Sequence, residues 1–585
     1  MLGAWGVLPV AVWLLGFVTR RLTRLVFNGA SLTERTAGAV VIGMGVVHLS
    51  VGWLGAIGVL SRASLLGLLA VAAVAVAVGT RKLEPAPRPR LAPSELAVLA
   101  SVGAVALLAI VTARILPIWQ WDSLGYHLPF VHFVLQSGSF AAVPADVRYI
   151  STYPHDIELA MVWLRAMLPD DRLVDLAQIP FGLAGAALSA AIARRLGASR
   201  PLALLSGAAW LMAPGVFLQL PTNYVDVGTA TALLAALFFL LLSPVTPRNL
   251  VFGGIALGLF LGSKPSAPLA TAFLTAITVF RSLTARRGVA LGAFFLAVAI
   301  FGGEMYVVML VRHGNPVWPV EVHLGPWALP GESSVDALLA AGAATPRAQG
   351  NLLERVTLSW LAIDSQPVFD MRLGGFGLLF LVALPAALLG LVRRRSAWLV
   401  LALIATLLSP DPAVTRYVLA MAAVIFAVAL SEVSRFGPRL TPWVVSSVLL
   451  TGAWQLAQAW PGLVGDGPPW ANFWAMTDDE RREALGPDGP PTDYASSWSK
   501  VKAGESVAFD VDFEFPGLLW EPELRYPVHL VPPATDPELV AWLDQRHVRL
   551  LAVGPEHQAF VERELANWEK LFECRSTPCA VYLRR

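Results

Sequence analysis

Long apolar stretches fill most of the first 460 positions of the chain, and short basic or Pro/Gly-rich links separate them. A stretch of about 20 apolar residues can cross the hydrocarbon core of a bilayer as a helix. We predict such spans at roughly 2–18, 39–60, 64–79, 96–116, 171–193, 201–220, 226–243, 249–263, 266–280, 289–311, 375–392, 397–409, 416–432 and 442–460. The pattern predicts an all-α polytopic membrane bundle of about 14 transmembrane helices.

The basic links give the predicted bundle an orientation. Arginine and lysine cluster in every second link, for example at Arg20, Arg194 and Arg435. An excess of positive charge marks the cytoplasmic links of membrane proteins. We therefore expect both termini, and the long loops 117–170 and 312–374, on the opposite, extracytoplasmic face.

The character of the sequence changes after residue 460, where 21 acidic and 12 basic residues fall among the last 125. Short apolar runs predict strands at 505–510, 527–531 and 548–553, and longer patterns predict helices at 537–545 and 558–571. Strands that alternate with helices favour a small extracytoplasmic α/β domain. No GxGxxG motif or P-loop occurs, so we assign no nucleotide. Cys574 and Cys579 are either free thiols or a local disulfide.

Composition agrees with this division of the chain. Hydrophobic residues make up 56% and charged residues 14%, which excludes a soluble protein. The hydrophobic part carries 31 basic and 20 acidic residues, an excess that orientation in the membrane explains without any nucleic-acid partner. We predict three additional transmembrane helices in 1–95, a main membrane module in 96–460 and the α/β domain in 461–585.

Polar side chains gather directly after the span 96–116. The sequence Trp-Asp-Ser-Leu-Gly-Tyr-His places Asp122, Tyr126 and His127 at the membrane surface, and Tyr-Pro-His-Asp-Ile-Glu follows at 153–158. Trp and Tyr are common anchors in an ordinary interfacial loop. Ionisable groups at membrane depth favour a functional site instead. In the same loop, Phe130 is expected to lie along the interface with its apolar neighbours.

The ends of other spans on this face add charged and aromatic residues. The candidate site residues are Asp122, Tyr126, His127, His155, Glu158, Tyr224, Asp226, Lys264, Arg416 and Tyr417. Carboxylates beside cations suit the attack of a neutral nucleophile on a phosphate-bearing donor, because a carboxylate takes the proton and cations hold the departing phosphate. Each residue also has a simpler explanation. Lys264 can extend to lipid headgroups, Arg416 can pair with Asp411, and His127 can be an ordinary interfacial histidine.

In chain order, the motifs are Trp-Asp-Ser-x-x-Tyr-His, Tyr-Pro-x-x-x-Glu, Asn-Tyr-x-Asp, Gly-Leu-x-x-Gly-x-Lys, Gly-Asn-Pro-x-x-Pro and Arg-Tyr. Over residues 96–460 this order resembles the GT-C class of integral-membrane glycosyltransferases, the group that contains protein mannosyltransferases and lipid A aminoarabinose transferases. The resemblance implies a large helical bundle, a polyprenyl-phosphate sugar as donor, and Asp122 as the catalytic base of the first outer loop.

The sequence departs from the pattern of this class at two places. Asp122 is followed by Ser123, where members often carry a second acidic residue, and residues 153–156 read Tyr-Pro-His-Asp rather than His-Pro-Pro. The departures leave the type of acceptor open, whether lipid, glycan or protein. They also leave a divalent metal open, for which Asp122, His155 and Asp226 are the candidate ligands.

We therefore predict an inverting glycosyltransferase of the bacterial inner membrane that uses a polyprenyl-phosphate sugar on the extracytoplasmic face. Two other functions remain open, as does an inactive scaffold that displays the C-terminal domain. An enzyme like the O-antigen ligases or polymerases would depend on Arg312, His313 or His323 in the second outer loop. A transporter or flippase for lipid-linked glycans would show internal repeats and midplane charges, whereas the charges here fall at the ends of spans.

Overall fold

The computed structural model describes residues 6–81, 90–145, 147, 149–334, 337, 350–362, 375–464, 467–485, 496–574 and 579–585. Helices dominate the first 463 residues. In chain order they are α1 (Val7–Val26), α2 (Leu32–Ala56), α3 (Arg62–Gly79), α4 (Pro93–Ile115), α5 (Leu128–Ser137), α6 (Glu158–Met167), α7 (Gln178–Arg195), α8 (Arg200–Leu211), α9 (Pro214–Phe217), α10 (Asp226–Leu240), α11 (Pro247–Leu261), α12 (Ala267–Thr284), α13 (Leu291–Gly302), α14 (Glu304–His313), α15 (Leu352–Trp360), α16 (Leu378–Arg394), α17 (Ala397–Leu407), α18 (Leu419–Val433) and α19 (Thr441–Ala459).

Every predicted span coincides with a helix, and the span 289–311 is broken, since α13 and α14 meet at an angle of 72°. In the described part of the chain, six helices are long and apolar enough to cross a membrane, or seven if the bent pair is one span. The chain is therefore a multi-pass membrane protein. The number of about 14 spans stays a prediction, because α10, α11 and α17 are apolar but shorter than 18 residues.

The helices differ in how much of their surface the protein covers. Helices α7, α10 and α18 are apolar on all sides and largely buried, so they form the centre of the bundle. Helices α3 and α4 are equally apolar but expose most of their residues. An apolar helix that other helices do not cover needs lipid around it. The chain thus has a packed centre and a lipid-facing periphery.

The C-terminal part contains short helices and a five-stranded mixed sheet. Its elements are α20 (Trp470–Phe473), α21 (Asp478–Leu485), β3 (Ser506–Phe509), β4 (Val528–Leu530), α22 (Asp536–Gln545), β5 (Val548–Val553), α23 (Pro555–Glu564), β6 (Trp568–Glu573) and β7 (Ala580–Arg584); β1 (Val322–Leu324) and β2 (Trp327–Leu329) form a separate hairpin in the second long loop. The strand order is β4-β3-β5-β7-β6. Strand β3 is parallel to both neighbours, and β7 is antiparallel to both of its own.

The three predicted strands and the helix at 537–545 are confirmed, and the helix at 558–571 is wrong in its second half. Helix α23 ends at Glu564, and the chain continues into the edge strand β6. Apolar Trp568, Leu571 and Phe572 also fit a helical spacing, but pairing with β7 decides the structure. Cys574 and Cys579 form a disulfide that joins the ends of these two strands.

The sheet packs against the first long loop of the membrane module, residues 117–170. Side chains alternate between the faces of a strand, so Ala508 packs towards the helices α22 and α23 while its neighbours Val507 and Phe509 join the main core. On that side the ring of Phe133 from α5 meets Trp520 at 4.9 Å, nearly perpendicular. The expected position of this segment along the membrane interface is wrong, because Phe130 and its apolar neighbours are buried beneath the sheet and against the loop.

Candidate active site

Asp122 stands at the start of a π-helical turn. Helix α4 ends at Ile115, an irregular link follows, and the turn Ser123–His127 runs directly into α5. Residues four and five apart lie on one side of such a wide turn, which brings Tyr126 and His127 beside Asp122. The rings of Tyr126 and His127 are 4.1 Å apart between centroids. Single π-turns within helices are frequent at functional sites.

Two carboxylates and two cations meet at this turn. The Nη1 atom of Arg416 lies 2.9 Å from Oδ2 of Asp122 and 3.8 Å from Oδ2 of Asp226. The ammonium group of Lys264 donates a hydrogen bond to Oδ1 of Asp226. Arg416 and Asp226 are buried. Charges in such a place are stable only when they neutralise one another and share hydrogen bonds, so the four residues form one unit.

Helix ends supply these four residues. Asp226 is the first residue of α10, Lys264 follows the end of α11, and Arg416 belongs to a short 3₁₀ turn, Thr415–Val418, that leads into α18. A carboxylate in the first turn of a helix is stabilised by the unpaired N–H groups there. Polar groups can therefore gather at one level of an otherwise apolar bundle.

Two tyrosine rings complete the surroundings of the cations. The guanidinium carbon of Arg416 lies 4.9 Å from the ring centroid of Tyr224 and 5.3 Å from that of Tyr417. The Lys264 ammonium lies 4.4 Å from the centroid of Tyr417. Cation–π contacts hold a positive charge in place without neutralising it. The two rings thus help to fix the positions of both cations beside the carboxylates that neutralise them.

The charges around Asp122 decide its protonation. Burial acts to raise the pKa of the Asp122 carboxyl, but the nearby Arg416 and His127 outweigh burial and hold the pKa below its usual range. Asp122 is therefore ionised at neutral pH and available to accept a hydrogen bond or a proton.

Glu158 connects the two polar segments of the first loop. Its Oε1 atom lies 2.8 Å from Nδ1 of His127 and 3.4 Å from Nδ1 of His155. Burial acts to raise the pKa of the Glu158 carboxyl, but the hydrogen bonds and charges of the two imidazoles lower the pKa to about 2. His127 is thus hydrogen-bonded, as the simpler explanation expected. Among the described residues, Oε2 of Glu158 and Nε2 of His155 are buried without a hydrogen-bond partner, so both can bind a polar ligand.

A cavity opens beside the cation pair. Lys264, Arg416 and Tyr417 line it together with Asp226, and apolar side chains such as Leu233, Phe260 and Leu408 form other parts of its wall. Cations next to an apolar wall have the chemical character that binds a phosphate group attached to a hydrocarbon chain. The volume of the cavity is about 30 Å³, so it would have to widen to admit such a group.

The three candidate metal ligands do not converge. In the described part of the chain, the single group of three side chains with ligand atoms within 4.8 Å of one another is Asp510, Asp512 and His557, at the end of β3 and the start of α23. The carboxylates of Asp122 and Asp226 already face Arg416 and Lys264. Because Asp122, His155 and Asp226 do not converge and both carboxylates are paired with cations, their arrangement does not fit a divalent cation, and we derive no step through a metal.

Two simpler explanations for single residues are wrong. Asp411 bonds Nη1 of Arg355 at 2.9 Å, and Arg416 contacts Asp122 and Asp226 instead. Lys264 likewise turns to a carboxylate rather than out to lipid headgroups.

The residues of the ligase-like alternative lie in the second long loop. Arg312 and His323 are exposed. The ring of His313 stacks on Trp318, with centroids 4.2 Å apart, and His323 lies 2.7 Å from a carboxylate oxygen of Glu321.

The sequence pattern did not indicate the contacts that the C-terminal part makes with the Asp122 turn. The indole N–H of Trp121 donates to the carboxylate of Glu514. Gly517 packs so closely against the turn that a Cβ there would lie 2.8 Å from the carbonyl oxygen of Leu124. The sequence pattern also gave no indication of His48 in α2, whose Nδ1 atom lies 3.3 Å from the carboxylate of Asp156. Nothing in a single sequence pairs positions so far apart.

No protein-family model and no curated protein sequence matches this chain. Solved structures do match it. The crystal structure of ArnT from Cupriavidus metallidurans bound to undecaprenyl phosphate is 16% identical, with a TM-score of 0.51 over 84% of this chain and 98% of that one. The apo structure of ArnT from the same organism is 15% identical, with a TM-score of 0.50 over 83% and 97%. The GT-C-like fold that the order of motifs predicted is therefore confirmed: this chain has the fold of ArnT.

Proposed function

We propose that this protein is a glycosyltransferase that moves a sugar from a polyprenyl-phosphate donor to an acceptor at the extracytoplasmic face of a bacterial inner membrane. The observation that carries the proposal is the cluster of Asp122, Arg416, Asp226 and Lys264 at the ends of apolar helices. It combines a candidate base with two phosphate-binding cations at one point.

The donor would bind with its phosphate at Lys264 and Arg416 and its hydrocarbon chain along the apolar wall of the adjoining cavity. Charge-assisted hydrogen bonds from cations are the usual means of holding a phosphate. The likeness in fold to ArnT, a protein crystallised with undecaprenyl phosphate, supports a donor of this class.

The reaction is a single displacement at the anomeric carbon. A nucleophilic oxygen of the acceptor forms a bond to that carbon, the bond to the phosphate oxygen breaks, and the phosphate leaves with the electron pair. The proton of the acceptor passes to Asp122, and the cations stabilise the phosphate released. Attack opposite to the leaving group inverts the configuration of the sugar.

Binding of the donor would also strengthen the base. Without donor, Arg416 bonds the Asp122 carboxylate and holds its pKa low. A phosphate group that competes for Arg416 would weaken this contact, so that the pKa of Asp122 rises towards a value better suited to proton transfer. Asp122 would thus become an effective base once the donor is in place.

The other candidate residues would orient the sugar and the acceptor. Glu158 and His155 carry buried polar atoms without hydrogen-bond partners in the described part of the chain, which suit hydroxyl groups of a sugar. Tyr126 and His127 stand at the Asp122 turn, and Tyr224 backs the guanidinium of Arg416.

The proposal includes the division of the chain into additional helices at 1–95, a catalytic membrane module at 96–460 and an extracytoplasmic domain at 461–585. Both termini would lie outside the cytoplasm, as the distribution of basic links predicts.

Asp122→Asn tests the proposal. This change keeps the size of the side chain but removes the base, and general-base catalysis contributes about 100-fold or more to rate. We expect release of polyprenyl phosphate from the productive donor to fall by at least that factor, with unfolding temperature and donor binding retained. The measurement uses purified protein in lipid with a panel of polyprenyl-phosphate sugars, and Asp544→Asn in the C-terminal sheet domain serves as control.

Two results would contradict the assignment. Substantial turnover by the Asp122→Asn variant, with loss in Arg312 or His313 variants, would favour the ligase-like enzyme. No turnover of any donor by folded wild-type protein would favour a transporter or a scaffold.

A further inference from the structure

Helix α2 belongs to the additional N-terminal helices, and it carries an imidazole in the middle of an apolar sequence. His48 lies more than halfway along Leu32–Ala56, and its side chain is only 11% exposed. A buried polar group in an apolar helix is costly unless it has a partner. Outside its own helix, His48 faces a carboxylate at ion-pair distance, without a hydrogen bond to Nδ1 among the described residues.

That carboxylate belongs to Asp156, in the second polar segment of the first loop. The Nδ1 atom of His48 lies 3.3 Å from Oδ1 of Asp156, and the Asp156 side chain is 14% exposed. The ring of Phe301 also lies near the imidazole, with 5.2 Å between the ring centroids. The imidazole therefore has both an aromatic ring and a carboxylate beside it.

Asp156 in turn fixes the turn that carries Lys264. The backbone N–H of Asp156 donates to the carbonyl oxygen of Gly262 at 2.8 Å. Its carboxylate lies over Gly262 so closely that a Cβ at that position would overlap it. Gly262 directly follows α11 and stands two residues before Lys264, which bonds Asp226. The contacts thus lead without a gap from α2 to the candidate phosphate-binding cation.

The same stretch of loop reaches the other half of the site. His155 and Glu158 flank Asp156 in sequence, and Glu158 holds His127 of the Asp122 turn. Asp156 therefore lies in the loop segment that connects the turn 262–264, which carries Lys264, with the π-helical turn after Asp122.

We infer that His48 is a positioning residue of the candidate active site: it holds Asp156, and Asp156 sets the place of the turn 262–264 and hence of Lys264. The inference rests on the proposed function and gives the N-terminal helices a part in it beyond anchoring. His48 itself touches neither Asp122 nor Arg416 in the described contacts, so it acts through Asp156.

A pair of variants separates the two contacts of His48. His48→Gln keeps a polar N–H group facing Asp156 and removes the ring, whereas His48→Phe keeps a ring against Phe301 and removes the polar contact. We expect His48→Phe to lower kcat/KM for the polyprenyl-phosphate donor about tenfold, with a fall in kcat as well as a rise in KM, because Lys264 both holds the donor phosphate and stabilises the charge that develops on it as it leaves. We expect His48→Gln to stay within about twofold of wild type.

The experiment uses full-length protein in lipid and measures KM, kcat and unfolding temperature. Trp53→Phe, at an exposed position of the same helix, is the control. Residues that act through one contact give non-additive effects. Adding His48→Phe to Asp156→Asn is therefore expected to cause no further loss. Independent, multiplying losses would overturn the inference, as would wild-type kinetics in His48→Phe.

Hydrogen–deuterium exchange gives a readout that needs no donor. Amide exchange in the peptide that contains residues 262–266 is expected to rise in His48→Phe and to remain at the wild-type level in His48→Gln. Unchanged exchange in His48→Phe would overturn the inference even if the enzyme is active. Absence of turnover by wild-type protein would instead overturn the proposed function, and with it the functional part of the inference.

Discussion

At the scale of single residues, Glu158 shows how this loop keeps a charge in a buried place. One carboxylate oxygen of Glu158 is hydrogen-bonded to the imidazoles of both His127 and His155. The residue itself is only 1% exposed. A carboxylate in that position is stable only as long as it is ionised and paired. Stability must therefore depend on its titration.

The pH dependence follows from the direction of the shift. The folded-state pKa of Glu158 is about 2, below the usual value of 4.5. A lowered pKa contributes stability that is fully present above the unfolded-state value and is lost as pH falls towards the folded-state value. We expect wild type to be more stable than Glu158→Gln above about pH 4.5, with the difference shrinking as the pH falls towards about 2.

Thermal unfolding in detergent from pH 7 to pH 3.5 measures this difference. Glu523→Gln, at an exposed position, is the matched control and should show no comparable convergence with wild type. A stability difference that is independent of pH would mean that Glu158 contributes through packing alone.

Most residues of the candidate site could be predicted from the sequence, because they share a position that is easy to recognise. Asp122, Asp226, Lys264 and Arg416 each stand next to the end of an apolar stretch, where a charge is conspicuous in the sequence. His48 stands inside an apolar stretch, and a lone histidine there has no partner that a sequence can reveal. The sequence shows the residue types, but it does not show which apolar stretches lie close together in space.

At the scale of elements, the π-turn Ser123–His127 is packed from outside by the C-terminal part. The 3₁₀ turn Pro516–Leu519 lies directly against it, with Gly517 over the backbone of Leu124. A side chain at residue 517 would have to push rigid backbone rather than a flexible side chain. Position 517 therefore reports whether this contact sets the Asp122 turn.

Gly517→Ala is expected to lower turnover about tenfold or more, because small displacements of catalytic groups are costly. Unfolding temperature should fall only slightly. Gly103→Ala is the control, since nothing lies within 4 Å of a Cβ at that position of α4. Wild-type turnover by Gly517→Ala would show that the turn keeps its shape without this contact.

Helices and strands could be predicted from the sequence where the residues of the element itself determine its structure, without contacts to distant parts of the chain. Every apolar span became a helix, because backbone groups in an apolar setting must bond within the segment. Residues 568–573 form a strand instead of a helix, because pairing with β7 is a contact with residues further along the chain. The burial of Phe133 under Trp520 has the same origin.

At the scale of the whole molecule, orientation in the membrane is the main prediction. Basic links on alternate sides predict that the C-terminal sheet lies outside the cytoplasm. The two cysteines of the chain both lie there and form a disulfide, which suits an oxidising compartment. They are natural reporters of topology.

After mild reduction of spheroplasts, a membrane-impermeant thiol reagent is expected to label Cys574 and Cys579 before the membrane is broken. The variant with both cysteines replaced by serine gives the background. Labelling only after lysis would place the sheet in the cytoplasm and reverse the predicted orientation.

The contact between the sheet and the Asp122 turn also bears on how the protein is made. Residues 513–528, which cover the turn and α5, leave the ribosome only after the last helix of the bundle, α19. A nascent chain can therefore complete the membrane bundle while the turn that bears the proposed base still lacks its outer support. The proposed activity would in this way depend on the completion of synthesis, and unfinished copies would not consume the proposed donor lipid.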